Sequence, residues 1–157
     1  MKKRLKAVPA VYVFLERNGH ILLMRRYNTR YQDGNYSVPS GHIESAELPT
    51  EAIIRETKEE VGVILNPLYL SLIHVSYRPV HDETGNRVDF FFRARGWVGP
   101  AVNSEPHKCD DIIWPYVDQL PENMVPLVRH AIKCSRNKVM FSELGIDWIK
   151  ANSLYKL

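Results

Sequence analysis

The chain of 157 residues is 45% hydrophobic and 25% charged, with 10 Pro and 8 Gly. That supports one domain with a real core and excludes a disordered, collagen-like or disulfide-scaffold protein. The net charge of +3 permits an anionic ligand such as a phosphate, yet no basic stripe for nucleic acid follows the N-terminus.

Met1-Lys2-Lys3-Arg4-Leu5-Lys6 resembles the basic start of an export signal, but Glu16 and Arg17 cut the next apolar run short. No small-residue cleavage site follows, and no apolar run reaches the roughly 18–20 residues of a membrane span. The expectation is a cytoplasmic protein without membrane contact. Residues 8–16 read as a strand, and Asn18-Gly19 is a hairpin signal because both residues tolerate positive φ. The return strand is 20–26, ending in Arg25 and Arg26 on opposite faces. A polar loop at 28–35, with Asp33-Gly34, leads to a short extended piece at 36–39 that ends in a Ser40-Gly41 turn.

Residues 49–61 form the clearest helix. Pro49 suits the first helical position, Ile53, Ile54, Thr57 and Val61 recur at helical spacing, and Gly62 stops it. Two β-rich runs follow at 69–77 and 88–97, joined by a polar loop at 81–87, and 112–117 is a further short strand. A second amphipathic helix spans 123–135, with Val125, Val128, Ala131 and Ile132 on one side and Pro126 in the first turn. Asn123 is placed to cap it. Strands of mixed direction with two helices predict an α+β fold with helix–sheet–helix layers. Phe90, Phe91, Phe92 and Trp97 are expected in the sheet core rather than as a base platform, Trp114 is left open between the two, and His74 is expected packed or half-exposed in a strand. His20, His81, His107 and His130 show no metal-ligand spacing, nor do Cys109 and Cys134, which are expected as reduced thiols.

The chemistry is concentrated in the first helix. Glu56, Glu59 and Glu60 stand at i, i+3 and i+4 and share one helical face, where they repel one another unless a cation intervenes. A hard divalent ion such as Mg²⁺ suits oxygen ligands. On the helix alone, a solvated acidic surface is the commoner arrangement.

The surrounding residues change that balance. Gly41, Glu47, then Arg55-Glu56-Thr57-Lys58-Glu59-Glu60-Val61-Gly62-Val63 fit the pattern G-x5-E-x7-R-E-U-x-E-E-x-G-U, where U is aliphatic. The chain thereby resembles the Nudix hydrolases, with the box at 41–63 inside a single domain of 1–157. The resemblance implies an α/β/α sandwich with a mixed central sheet and a loop–helix–loop catalytic motif. Ser40 and Ala46 stand where the family often has Gly, and Thr57 fills an aliphatic position, its hydroxyl able to bond back to the Ile53 carbonyl.

By matching positions, Glu56, Glu59 and Glu60 would ligate Mg²⁺ (or Mn²⁺), with the Ser40 carbonyl as a further ligand. Arg55 would orient carboxylates, Glu47 would anchor the loop to the helix, and Gly41 and Gly62 would be structural. Trp97-x-Gly99 followed by Glu105 resembles the mutator-type (MutT-like) branch, implying that Glu105 contacts the metal or acts as general base. That branch also implies substrate contacts from Arg26 and Asn123, and His42, in the catalytic loop, is expected to reach phosphate. The implied activity is hydrolysis of a nucleoside triphosphate to a monophosphate and pyrophosphate, with no stable nucleic-acid complex. Hydrolysis of ADP-ribose, a nucleotide sugar or a dinucleotide stays open, Pro79 hinting at the first. A catalytically silent nucleotide-binding module is the rival of another class. A homodimer is also left open.

Overall fold

The computed structural model describes residues 4–79 and 85–152, so His81 and most of the predicted 81–87 loop lie outside the described residues. Strand β1 (Ala7–Arg17) is apolar on both faces because it is a central strand. Val11, Val13 and Leu15 are buried in one core, and Phe14 in another. Asn18 and Gly19 take φ of 52° and 78°, the left-handed pair a tight hairpin requires. The predicted return strand is nevertheless split. β2 (His20–Ile21) pairs with β1, whereas β3 (Leu23–Arg26) pairs with β4 (Tyr36–Ser37).

Ser40-Gly41 is not a turn but part of β5 (Ser40–His42), antiparallel to β1 with Tyr12 opposite Ser40. Pairing with a central strand gives these backbone groups partners that a turn would have had to find locally. After α1 (Pro49–Val61) and the short β6 (Ile64–Leu65) come β7 (Leu70–Arg78) and β8 (Asn86–Ala94). β8 pairs with β7 antiparallel and with β1 in parallel. β9 (Trp97–Val98) pairs with β6, and β10 (Cys109–Ile113) pairs with β3. The strand predicted at 112–117 thus starts earlier and stops at Ile113.

α1 has the predicted bounds. Glu51 accepts a hydrogen bond from the Leu48 N–H at 2.9 Å, and Gly62, at φ 73°, closes the end by donating to the Lys58 carbonyl. α2 (Pro126–Arg136) starts three residues later than predicted. The Tyr36 N–H donates to the Asn123 carbonyl, and the Val125 N–H donates to that of Tyr36, holding this stretch extended. Val125, not Asn123, therefore occupies the N-cap position. β11 (Phe141–Glu143), parallel to β7 at the sheet edge, and α3 (Ile146–Ala151) had no clear sequence signal.

The main sheet runs β11-β7-β8-β1-β2, with β5 also on β1. α1 contributes Ala52, Ile53 and Val61 to one core; α2 contributes Leu127, Val128, Ala131 and Ile132 to the other. Phe91 and Phe92 fall in different cores, as alternation along a strand requires. The helix–sheet–helix layering is the α+β sandwich expected from the sequence. Among the described residues no helix is long and apolar enough to cross a membrane.

Candidate active site

The acidic face of α1 is set by its contact with β5. The Glu56 carboxyl lies directly against Gly41, where an added Cβ would fall 2.0 Å from its Cδ and Oε1. Any side chain there would displace Glu56. One turn on, Glu60 Oε2 accepts the Ser40 N–H at 2.8 Å. Glu60 is the most desolvated of the set, and burial, followed by the charges of Glu56 and Glu105, pushes its pKa up to about 8 despite that hydrogen bond. Burial also raises Glu56, against the opposing pull of Arg55. Glu59 stands at the outer edge, with 54% of its side chain exposed.

Arg55 organises the periphery. Its Nε and Nη2 grip both oxygens of Glu47 at 2.8 and 3.0 Å, its Nη1 meets Glu56 Oε1 at 2.7 Å, and its Nη2 reaches the His42 carbonyl at 3.1 Å. A planar fork can serve these groups simultaneously, which an ammonium cannot. Glu47 is held below the usual carboxylate range by Arg55 and by the Glu44 N–H. Thr57, buried beneath this face, donates its hydroxyl to the Ile53 carbonyl as its position suggested.

Glu105 arrives from the loop after β9. Backbone bonds from Val102 to Val61 and from Ser104 to Glu60 fasten that loop to the end of α1. Asn103 accepts the Glu105 N–H at 3.1 Å and donates to the Cys109 carbonyl at 2.7 Å, shaping the turn. Lys108 Nζ lies 2.9 Å from Glu105 Oε1. Glu56, Glu59, Glu60 and Glu105 all line one cleft of about 590 Å³, together with Ser40, Gly41 and His42. The same cleft carries Arg25, Arg26, Arg78, Arg87 and Lys108, so a cationic rim faces an anionic floor.

Arg26 lines the cleft but is held by the 27–35 loop, with Nε donating to the Tyr31 carbonyl at 2.7 Å and Nη2 to Thr29 at 3.0 Å. Asp33 ties that loop together by accepting the Thr29 and Arg30 N–H groups. Arg25 pairs with Asp110 at 2.7 Å. The His42 imidazole is lowered by desolvation and by the Arg87 charge. Asn123 is not among the cleft residues; its side chain donates to the Gly34 carbonyl at 2.8 Å. Trp97 stacks on Trp114, with Arg17 over its ring, and neither indole lines the cleft.

Sequence reasoning missed Tyr12, Lys108 and the Arg78–Asp89 pair. Tyr12 lines the cleft and stacks on Phe91 with centroids 4.6 Å apart. Alternation from Ala10 puts it on the cleft face of β1, a signal that was available. Arg78 grips Asp89 with 2.7 and 2.9 Å bonds, both side chains buried. His130 and Cys134, which showed no metal-ligand spacing in the sequence, come together with His74 in the fold. Their donor atoms lie within 4.8 Å of one another, because β7 and α2 pack face to face.

Four carboxylates dominate the cleft's oxygen donors, and the innermost is held by a backbone N–H. Such a set fits a hard divalent cation. With this geometry, the chain belongs to the NUDIX domain family, whose profile matches residues 5–133. It is 35% identical over 123 residues to an 8-oxo-dGTP diphosphatase of Escherichia coli, covering 76% of this chain and 91% of that protein. It is 38% identical over 93 residues to an ADP-ribose pyrophosphatase of Methanocaldococcus jannaschii, covering 58% of this chain but only 53% of that protein. The fold superimposes on a MutT NUDIX hydrolase from Burkholderia pseudomallei with a TM-score of 0.74 at 23% identity, over 82% of this chain and 97% of that one.

Proposed function

We propose that this chain is a hydrolase of a diphosphate linkage in nucleotides, acting on a nucleoside triphosphate to give a monophosphate and pyrophosphate. One observation carries the reading: four carboxylates converge on one cleft, and burial beside its acidic neighbours drives the innermost toward protonation. The reach of the match to the 8-oxo-dGTP diphosphatase, 91% of that protein, favours a triphosphate. A second reading, hydrolysis of ADP-ribose, is favoured by the higher identity to the archaeal pyrophosphatase over its shorter match.

Glu56, Glu59, Glu60, Glu105 and the Ser40 carbonyl would hold Mg²⁺ or Mn²⁺. When bound, the ion neutralises the diphosphate and eases approach of an oxygen nucleophile. The chain's own groups do the rest. Arg55 fixes the Glu56 and Glu47 carboxylates. Arg26, Lys108 and His42 line the cleft where phosphate oxygens would lie. Glu105 takes a proton from the attacking water as its oxygen bonds to the β-phosphorus. The bond from that phosphorus to the α,β-bridging oxygen breaks, and the monophosphate leaves.

A nucleotide panel with ADP-ribose, incubated with Mg²⁺ in ¹⁸O-labelled water, tests this. Label is expected in pyrophosphate, with the monophosphate unlabelled. Label in the monophosphate would indicate α-attack; intact triphosphates beside cleaved ADP-ribose would transfer the assignment to the second reading.

A further inference from the structure

We propose that His74, His130 and Cys134 form a second metal site, for zinc or a cation of its class, behind α2 and apart from the catalytic cleft. None of the three lines that cleft. His130 and Cys134 stand at i and i+4 on α2, one above the other, and β7 brings His74 to the same point. His130 Nε2 lies 3.3 Å from Cys134 Sγ, and all three donor atoms are within 4.8 Å of one another. Two ligands of a tetrahedral zinc are about 3.3–3.6 Å apart, so the helical pair is already spaced for one. His74 needs a shift of no more than about 1.5 Å to complete the set.

The surroundings prepare the ligands. His74 Nδ1 lies 2.8 Å from the Val139 carbonyl, which can only accept, so Nδ1 carries the proton. The lone pair of Nε2 therefore points into the cluster, as it does when a carbonyl orients a zinc-binding histidine. Ser142 Oγ sits 2.9 Å from that nitrogen and 3.1 Å from His130 Nε2. A hydroxyl has one proton and cannot donate to both, and its oxygen is placed as a fourth donor. Trp148 of α3 closes the site from outside, 5.6 Å from the His130 ring.

Burial holds both imidazoles below their ordinary pKa, in the neutral form that binds metals. It pushes the Cys134 thiol up, so binding must expel the proton: the S–H bond breaks, sulfur keeps the electron pair and bonds the cation, and one H⁺ leaves to solvent. Two imidazoles and a thiolate select zinc over Mg²⁺. The ion would staple α2 to β7 and, through Ser142, to β11. That edge strand lies beyond residue 133, where the family profile ends.

The test uses Co²⁺ as a spectroscopic substitute for zinc, added to the metal-stripped full chain. Wild type should develop a near-ultraviolet thiolate-to-cobalt band with intense tetrahedral visible bands, both erased by Zn²⁺. Cys134→Ser should lose the thiolate band and Cys109→Ser should keep it. His74→Gln or His130→Gln should weaken Co²⁺ binding by about tenfold or more. Carboxylate ligands cannot give a thiolate band, and Cys109, the cysteine that lines the catalytic cleft, is separated by its own variant. Absence of the band in wild type, or its survival in Cys134→Ser, overturns the site.

Discussion

Glu56 lies flat against the backbone of Gly41, close enough that a single methyl at that glycine would overlap its carboxyl carbon. Gly41 is held in β5 by pairing with Val11, so neither partner can simply retreat. This glycine therefore serves space rather than a turn. Gly41→Ala should leave the fold intact by circular dichroism and lower kcat by roughly tenfold or more, at least about 1.4 kcal/mol in the barrier. Near-wild-type turnover would show that Glu56 is dispensable in this position.

Glu59→Gln and Glu60→Gln each remove a charge with almost no change in volume. Both should cut kcat by roughly tenfold or more while folding is unperturbed. Assays at limiting Mg²⁺ are the sensitive comparison, and wild-type rates for both would remove the cation from α1.

Glu60 also sets a pH dependence in the metal-free protein. Its folded pKa of about 8 stands above the ordinary value of 4.5, so the folded state keeps a proton that the unfolded chain releases. The resulting stability is full below pH 4.5 and is lost as pH rises toward 8. Glu56 adds to this with the same sign. Each tenfold difference in proton affinity between the folded and unfolded states is worth about 1.4 kcal/mol, or roughly 3–6 °C in Tm for a chain of this size. Thermal melts should fall across this range without metal, flatten with saturating Mg²⁺, and flatten also in Glu60→Gln. A melt independent of pH in the stripped wild type would contradict the burial of this carboxylate.

For Glu105, the Lys108 contact and the tethered loop predict a functional group rather than a solvated side chain. A general base contributes roughly 10²–10⁴-fold, and an outer cation contact should contribute less. Glu105→Gln should slow hydrolysis and displace the acidic limb of the pH–rate profile. A slower rate with an unchanged limb would leave Glu105 as a cation contact only.

Ala46 is strained at φ 64°, in the loop between β5 and α1. A left-handed conformation costs an alanine about 1 kcal/mol more than it costs glycine. Ala46→Gly should raise stability by about that amount in urea titration, and unchanged or lower stability would show the loop to be relaxed already.

The sequence by itself determined α1 and its acidic face, because helix capping, a 3.6-residue period and the i, i+3, i+4 spacing of Glu56, Glu59 and Glu60 are all local. It determined the Asn18-Gly19 hairpin for the same reason: φ preference belongs to the residue. What depended on distant partners was decided only in the folded chain. The pairing of β5 with β1 made a strand of an apparent turn, and the tie of Tyr36 to Asn123 and Val125 delayed the start of α2. β11 is three residues long and exists because β7 offers an edge. The gathering of His74, His130 and Cys134 has the same origin. His130 and Cys134 share a helical face at i and i+4, a spacing that alone gave no signal, and a strand more than fifty residues earlier brings the third donor, a distance no local rule encodes. Burial, which drives the Glu60 pKa upward, is likewise a property of the packed loop at 102–105 against α1 and not of the glutamate itself.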